Sequence, residues 1–160
     1  MSALKVSSVR QSANSQFNDG DNAEASRGAR SRRPSLAGLR VLVAEDVEMV
    51  RDLITIMLSR EKVVITAVAD GADAVKLAET QAFDVILMDM RMPVMGGFEA
   101  TRRIRQSGGP NAGVPILALT ANTQKAEIAQ CERAGMDGHI AKPFAPNALT
   151  NAIGDALFSD

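Results

Sequence analysis

Five short apolar runs alternate along this chain with five amphipathic stretches, and the change of period between them sets the expected elements. Arg40–Ala44 is apolar after its first residue, as a strand buried on both faces should be. It leads into a stretch with Val50, Leu53, Ile54, Met57 and Leu58 at helical spacing. Val63–Val68 is β-branched and predicts a strand; Ala72–Thr80 predicts a helix with Val75 and Ala78 on one face. Asp84–Met88 predicts a strand, and Phe98–Gln106 a helix with Phe98, Thr101 and Ile104 in line. Val114–Leu119 reads as a strand, and Thr123–Ala134 as a helix stopped by a left-handed Gly135. Gly138–Ala141 is a short strand. Pro146–Leu157 is a helix with proline in its first turn and Leu149, Ala152, Ile153 and Ala156 inward. Strict alternation of this kind predicts an α/β domain, a doubly wound parallel sheet of five strands with helices on both faces.

The pattern starts at Gly38. Residues 1–37 are rich in Ser, Asn, Gly and Arg, with Met1, Leu4, Val6, Val9, Phe17 and Leu36 as their large apolar residues. So little apolar surface does not offset the entropy of ordering the segment, so 1–37 is expected to be a disordered linker or tail and 38–160 the domain. The tail carries six basic groups against three acidic ones, although the chain's net charge is −1. Its cluster from Arg27 to Arg33 could meet nucleic acid or an acidic membrane. With no interleaved aromatic and no binding fold beside it, a solvated linker is the better reading, and neither nucleic acid nor direct membrane contact is expected. A single cysteine, Cys131, excludes an internal disulfide and suits a reducing compartment. No apolar stretch approaches the roughly 20 residues of a membrane span, and there is no signal-peptide core. A cytoplasmic protein is expected.

The chemistry lies at the strand ends. Asp89 closes the run Phe83–Met88, Glu45 and Asp46 follow Val41–Ala44, Thr120 follows Ile116–Leu119, and Lys142 follows His139–Ala141. In an open parallel sheet, strand carboxyl ends at the topological switch point face one crevice. Three carboxylates against one ammonium leave surplus negative charge there, which favours a bound cation. Oxygen donors without His or Cys favour a hard divalent ion, Mg²⁺ above Ca²⁺. Magnesium, a carboxylate nucleophile, a hydroxyl and a lysine are the parts needed to accept a phosphoryl group. Each residue also has a plainer use. Asp89 could cap the loop after it, Glu45 and Asp46 or Thr120 could cap the helices that follow, and His139 could be a half-buried strand residue. Cys131 reads as a small hydrophobe. Met88, Met90, Met92 and Met95 resemble a Cu(I) box, but a strand residue and the turn at Pro93 keep the sulfurs from having to converge.

The strings Val41-Leu-Val-Ala-Glu-Asp46, Met88-Asp-Met-Arg-Met-Pro93, Leu119-Thr-Ala121 and Lys142-Pro-Phe144 resemble the receiver domain of the two-component response-regulator family over about residues 38–158. The resemblance implies the flavodoxin-like strand order 2-1-3-4-5. It implies Asp89 as phosphoacceptor, Asp46 as a direct magnesium ligand, and Glu45 as the acid beside it. Arg91 would complete the metal shell through its carbonyl. Thr120 would be the switch hydroxyl, Lys142 the phosphate-pairing lysine and His139 the switch side chain, a place usually held by an aromatic. Arg91 and Asn122 would tune the phosphoryl lifetime. A cis Lys142–Pro143 bond would aim Lys142 into the crevice. Gly96 departs from the Asp usual there, which affects the cap of the next helix. The string from Met90 to Thr101 is similar to receivers of hybrid sensor kinases.

The implied function is a signalling switch that takes a phosphoryl group from a histidine kinase or histidine phosphotransfer domain and catalyses only its own phosphorylation and dephosphorylation. A magnesium-dependent phosphatase with an aspartyl nucleophile is the alternative. Such enzymes typically need a second Asp two residues on, where Arg91 stands. A flavin-binding protein of the same topology is disfavoured by the lack of Trp and Tyr and of a Gly-rich loop after the first strand. The chain closes just after the fifth helix, so no output domain is expected in it. On the local resemblance from Met90 to Thr101, the receiver piece of a hybrid kinase, with residues 1–37 as its inter-domain linker, is favoured over a free-standing receiver.

Overall fold

The computed structural model describes residues 33–159, and they fold with the predicted alternation. Strands β1 (Arg40–Ala44), β2 (Val64–Val68), β3 (Val85–Asp89), β4 (Ile116–Thr120) and β5 (Gly138–Ala141) form one parallel sheet in the order β2-β1-β3-β4-β5. Between and after them run α1 (Glu48–Ser59), α2 (Gly71–Thr80), α3 (Gly97–Gln106), α4 (Lys125–Ala134) and α5 (Ala148–Phe158). Alternate strand residues divide the core. Val41, Val43, Val85, Leu87, Leu117, Leu119 and Ile140 pack with Ile54 and Leu58 of α1 and Leu149 and Ile153 of α5. Leu42, Ala44, Ile86, Met88, Ile116 and Ala118 pack with Ala74, Val75 and Ala78 of α2, Ala100 and Ile104 of α3, and Cys131 of α4. Both faces are therefore covered, which explains why the three central strands read as unbroken apolar runs.

One register row crosses the sheet through Val68, Ala44, Met88, Ala118 and His139. Glu45 and Asp89 stand one residue beyond that row, Asp46 and Thr120 two, and Lys142 three. The sheet's pairing thus gathers residues far apart in sequence at one rim.

Several boundaries differ from the expectation. Leu36, assigned to the tail, is 4% exposed and packs in the core with Val41 and Ile54. The amide of Gly38 donates to Lys62 O at 2.9 Å, so the folded unit begins before residue 38. The disorder expected of residues 1–32 lies outside the described residues. Leu53 is 46% exposed. The inward face of α1 is made by Ile54 and Leu58, and Met49, Leu53 and Ile56 form a second apolar stripe facing solvent. α4 starts two residues late, because Asn122 N donates to Thr120 Oγ1 (3.0 Å) and Gln124 N to Asn122 Oδ1 (2.9 Å), holding 120–124 in side-chain-closed turns. Pro146 is not in the first turn of α5. It precedes the cap, Asn147, which is left-handed at φ 67°. Gly135 ends α4 at φ 104°, as predicted. Met88, Met90 and Met95 are buried with Met92 packed against them, so the methionine run fills the core rather than presenting sulfurs to a soft metal.

Candidate functional site

All five residues of β3 are buried, and the last is an aspartate. What lets α3 begin against that strand end is Gly97, where a Cβ would run into the carbonyl oxygen of Asp89. The amide of Gly97 donates to Met90 O at 3.0 Å, fixing the loop between. Asp89 itself is 6% exposed. An ionised carboxylate so buried needs partners, and they come from the neighbouring strand ends. Lys142, joined to Pro143 by a cis peptide, donates its amide to Thr120 O (2.8 Å) and has its Nζ 3.1 Å from Asp89 Oδ1. The same Nζ lies 2.8 Å from Glu45 Oε2, an ion pair off the hydrogen-bond axis. Glu45 is fully buried, with Oε1 accepting the amide of Val47 at 3.3 Å and its carbonyl accepting Arg51 Nη1 at 2.8 Å. Glu45 and Asp46 precede the cap of α1, Val47, so neither caps that helix.

Carboxylate oxygens of Glu45, Asp46 and Asp89 come within 4.8 Å of one another. Burial, and then the charge of Glu45, push the Asp89 carboxyl up to about 7, while Lys142 pulls it the other way. Burial works against the Lys142 ammonium, but its contacts with Glu45 and Asp89 outweigh this and hold it above the usual lysine value. The pocket without a cation is thus acid-rich and only partly neutralised. Its three convergent carboxylates, including the buried Oε2 of Glu45 that makes no hydrogen bond, fit a hard divalent cation.

The crevice above these groups encloses about 340 Å³ and is lined by Glu45, Asp46, Asp89, Arg91, Thr120, Asn122 and Lys142. Every residue expected at the site, other than His139, is therefore at its wall. His139 lies lower, exposed on edge strand β5 beside Ala118 and outside the crevice. One wall residue was not anticipated. Glu127, at the third position of α4, lines the crevice and accepts a hydrogen bond from Thr120 Oγ1 at 3.1 Å. An acid in a helix's first turn reads as a partner of the helix dipole.

The chain belongs to the family described as the response regulator receiver domain, which it matches over residues 41–154. That makes it a receiver domain of two-component signalling, with the fold of a signalling switch. It is similar to Histidine kinase 1 of Arabidopsis thaliana, with 32% identity over 153 residues covering 74% of this chain and 13% of the relative. It is 41% identical to the response regulator UvrY of Escherichia coli over 117 residues, 72% of this chain and 52% of that protein. The chain thus spans about half or less of these relatives. Among solved structures it resembles the receiver domain of sensor histidine kinase PA1611 from Pseudomonas aeruginosa, described with a magnesium ion coordinated in the active site cleft. The two share 41% identity and a TM-score of 0.71 over 77% of this chain and 100% of that one. Among the described residues, no helix is long and apolar enough to cross a membrane.

Proposed function

We propose that this domain accepts a phosphoryl group on Asp89 from a phosphohistidine of a partner, a histidine kinase or histidine phosphotransfer domain, and changes conformation in a two-component phosphorelay. The observation that carries this reading is a buried carboxylate facing a crevice with an ammonium 3.1 Å away and two more acids close by. Asp89 attacks the phosphorus as the imidazole leaves. Lys142 draws the carboxyl toward its ionised form and stands where the incoming oxygens need a positive charge. Glu45, Asp46 and Asp89 would hold Mg²⁺, with the carbonyl of Arg91 completing the set, and the ion supplies positive charge for the phosphoryl oxygens. Arg91 and Asn122, both on the crevice wall, tune how readily water reaches the acyl phosphate. The same domain then returns by hydrolysing its own phosphoryl group.

A protein donor must reach Asp89 from outside, and the surface beside the crevice suits one. Val47 lines the crevice and is half-exposed, and Met49, Leu53 and Ile56 continue the apolar surface along α1. Magnesium in the cleft of the PA1611 receiver and the kinase relatives support the same reading. Thr120 donates to the phosphoryl group in the switched state, and His139, two register rows below, follows it inward. Incubation with acetyl phosphate and Mg²⁺ should add one phosphoryl group, labile to hydroxylamine, and Asp89→Asn should abolish it. Equal labelling of Asp89→Asn would sink the assignment.

A further inference from the structure

Thr120 is the residue whose bonds must change if Asp89 is phosphorylated, and the structure shows what it would have to leave. Its hydroxyl accepts the amide of Asn122 at 3.0 Å. Its one proton faces two acceptors, the Asn122 carbonyl at 2.9 Å and the Glu127 carboxylate at 3.1 Å. A charged acceptor forms the stronger bond. We propose that Glu127 is a positioning residue, a latch that holds the Thr120 hydroxyl in the unphosphorylated arrangement and must release it before Thr120 can donate to the phosphoryl group. This rests on the phosphoacceptor reading above.

Two physical effects act in the same direction. The Thr120 proton cannot serve Glu127 and a phosphoryl oxygen together. A phosphoryl group also adds about −1.5 to −2 charge to a crevice whose wall already includes the Glu127 carboxylate, so like charges oppose each other. Because Glu127 belongs to the first turn of α4, its bond to Thr120 ties that turn to the end of β4. Release therefore frees the start of α4, a route from Asp89 to that helix that does not pass through His139. The plainer role of Glu127, a first-turn acid on the helix dipole, predicts only a less stable helix when it is removed.

The test uses the full 160-residue chain with saturating Mg²⁺ and follows beryllofluoride binding to the unphosphorylated protein by amide chemical shifts, with acetyl phosphate labelling carried out on a separate sample. Glu127→Ala should tighten beryllofluoride binding roughly three- to tenfold, the range expected for one net hydrogen bond. Glu127→Gln keeps a weaker acceptor and should gain less. In a Thr120→Ala background, Glu127→Ala should gain clearly less, only the part that like charge contributes, since there is no hydroxyl to release. Unchanged affinity in Glu127→Ala overturns the latch, as does a lower melting temperature with no gain in affinity. An equal gain in the Thr120→Ala background also overturns it, because charge alone would then be the cause. Should the alanine variant fail to fold, Glu127→Gln with and without Thr120→Ala decides by the same criterion. A wild-type chain that takes neither beryllofluoride nor phosphoryl overturns the phosphoacceptor reading, and the latch with it. Normal wild-type binding with an inert Glu127 overturns the latch alone.

Discussion

At the amino end of the sheet, Arg105 donates to the carbonyls of Gly135 (2.9 Å), Ala112 (3.0 Å) and Val114 (2.6 Å) and to Asp137 (2.7 Å). Asp137 in turn accepts the amide of Ile116 at 2.9 Å. Close by, buried Asn111 accepts the amide of Phe83 at 2.8 Å and donates to Ala78 O and Gln81 O, both at 2.6 Å. At the carboxyl end, three carboxylates converge while one lysine pairs with only two of them, Glu45 and Asp89, and a buried Glu45 oxygen has an ion pair but no hydrogen bond. Both ends bring charge to partly buried ground. One end matches donors to acceptors, and the other leaves acid in surplus. Saturated polar groups stabilise a fold and offer nothing to a ligand. Unsaturated ones destabilise it until something binds. The contrast separates scaffold from site without reference to any relative.

The largest effect should come from breaking the saturated end. Arg105→Ala strands three carbonyls and leaves the Asp137 carboxylate with the Ile116 amide and water, and should cost about 3 kcal/mol of unfolding free energy. Arg105→Lys cannot replace the planar fork and should recover only part of that. Urea unfolding of the two variants checks this. A loss below about 1 kcal/mol would mean that the network is solvated rather than structural.

Next comes the surplus end, where removing a negative charge should stabilise. Burial pushes the Asp89 carboxyl up to about 7 in the folded protein without metal, from an ordinary value of 3.8. Between those values the native state binds the extra proton. The stability this group contributes is therefore fully present below about pH 4 and lost as pH rises through about 7. With EDTA present, wild type should lose on the order of 2 kcal/mol relative to Asp89→Asn between pH 5 and pH 8. Asp89→Asn should then be the more stable protein at pH 8, and Mg²⁺ should narrow the gap by acting on wild type. Parallel pH profiles for the two proteins would show that Asp89 is not strained by its surroundings.

The same contrast explains what could be read in advance. Strand ends were legible because unbroken apolar runs stop at an acid, a hydroxyl or a lysine, and a parallel register carries those ends to one rim. Arg105 and Asn111 were not. A basic residue in a helix's last turn and an asparagine in a loop look solvated until the fold brings carbonyls to them. Glu127 was hidden for a related reason, since an acid in the first turn of α4 already has a local use. Leu36 was lost as a lone hydrophobe in a polar tail. Leu53 was misplaced because α1 carries two apolar stripes, of which only the one with Ile54 and Leu58 faces the core. Proline fits the first turn of a helix and the loop before it equally well, so Pro146 could not choose between them.

Backbone conformation repeats the difference between the ends, and gives the smallest expected effect. Around the amino end, left-handed residues among those described are Gly38, Gly108 and Gly135, with Lys62 the exception. In the loop that follows β3 at the carboxyl end it is Val94, a non-glycine residue. A β-branched residue at φ 68° is a genuine outlier, whereas asparagine enters this region readily. Val94 is 84% exposed in the loop between Asp89 and α3, so its side chain contributes little packing that could compensate. Val94→Asn should therefore stabilise the protein by about 1 kcal/mol. Val94→Gly should gain less, because glycine also adds entropy to the unfolded chain. Thermal unfolding of both variants at one pH without metal decides the matter. A loss of stability in Val94→Asn would mean that the valine side chain makes a contact worth more than the strain, and that strain at this end is a by-product of packing rather than of the site.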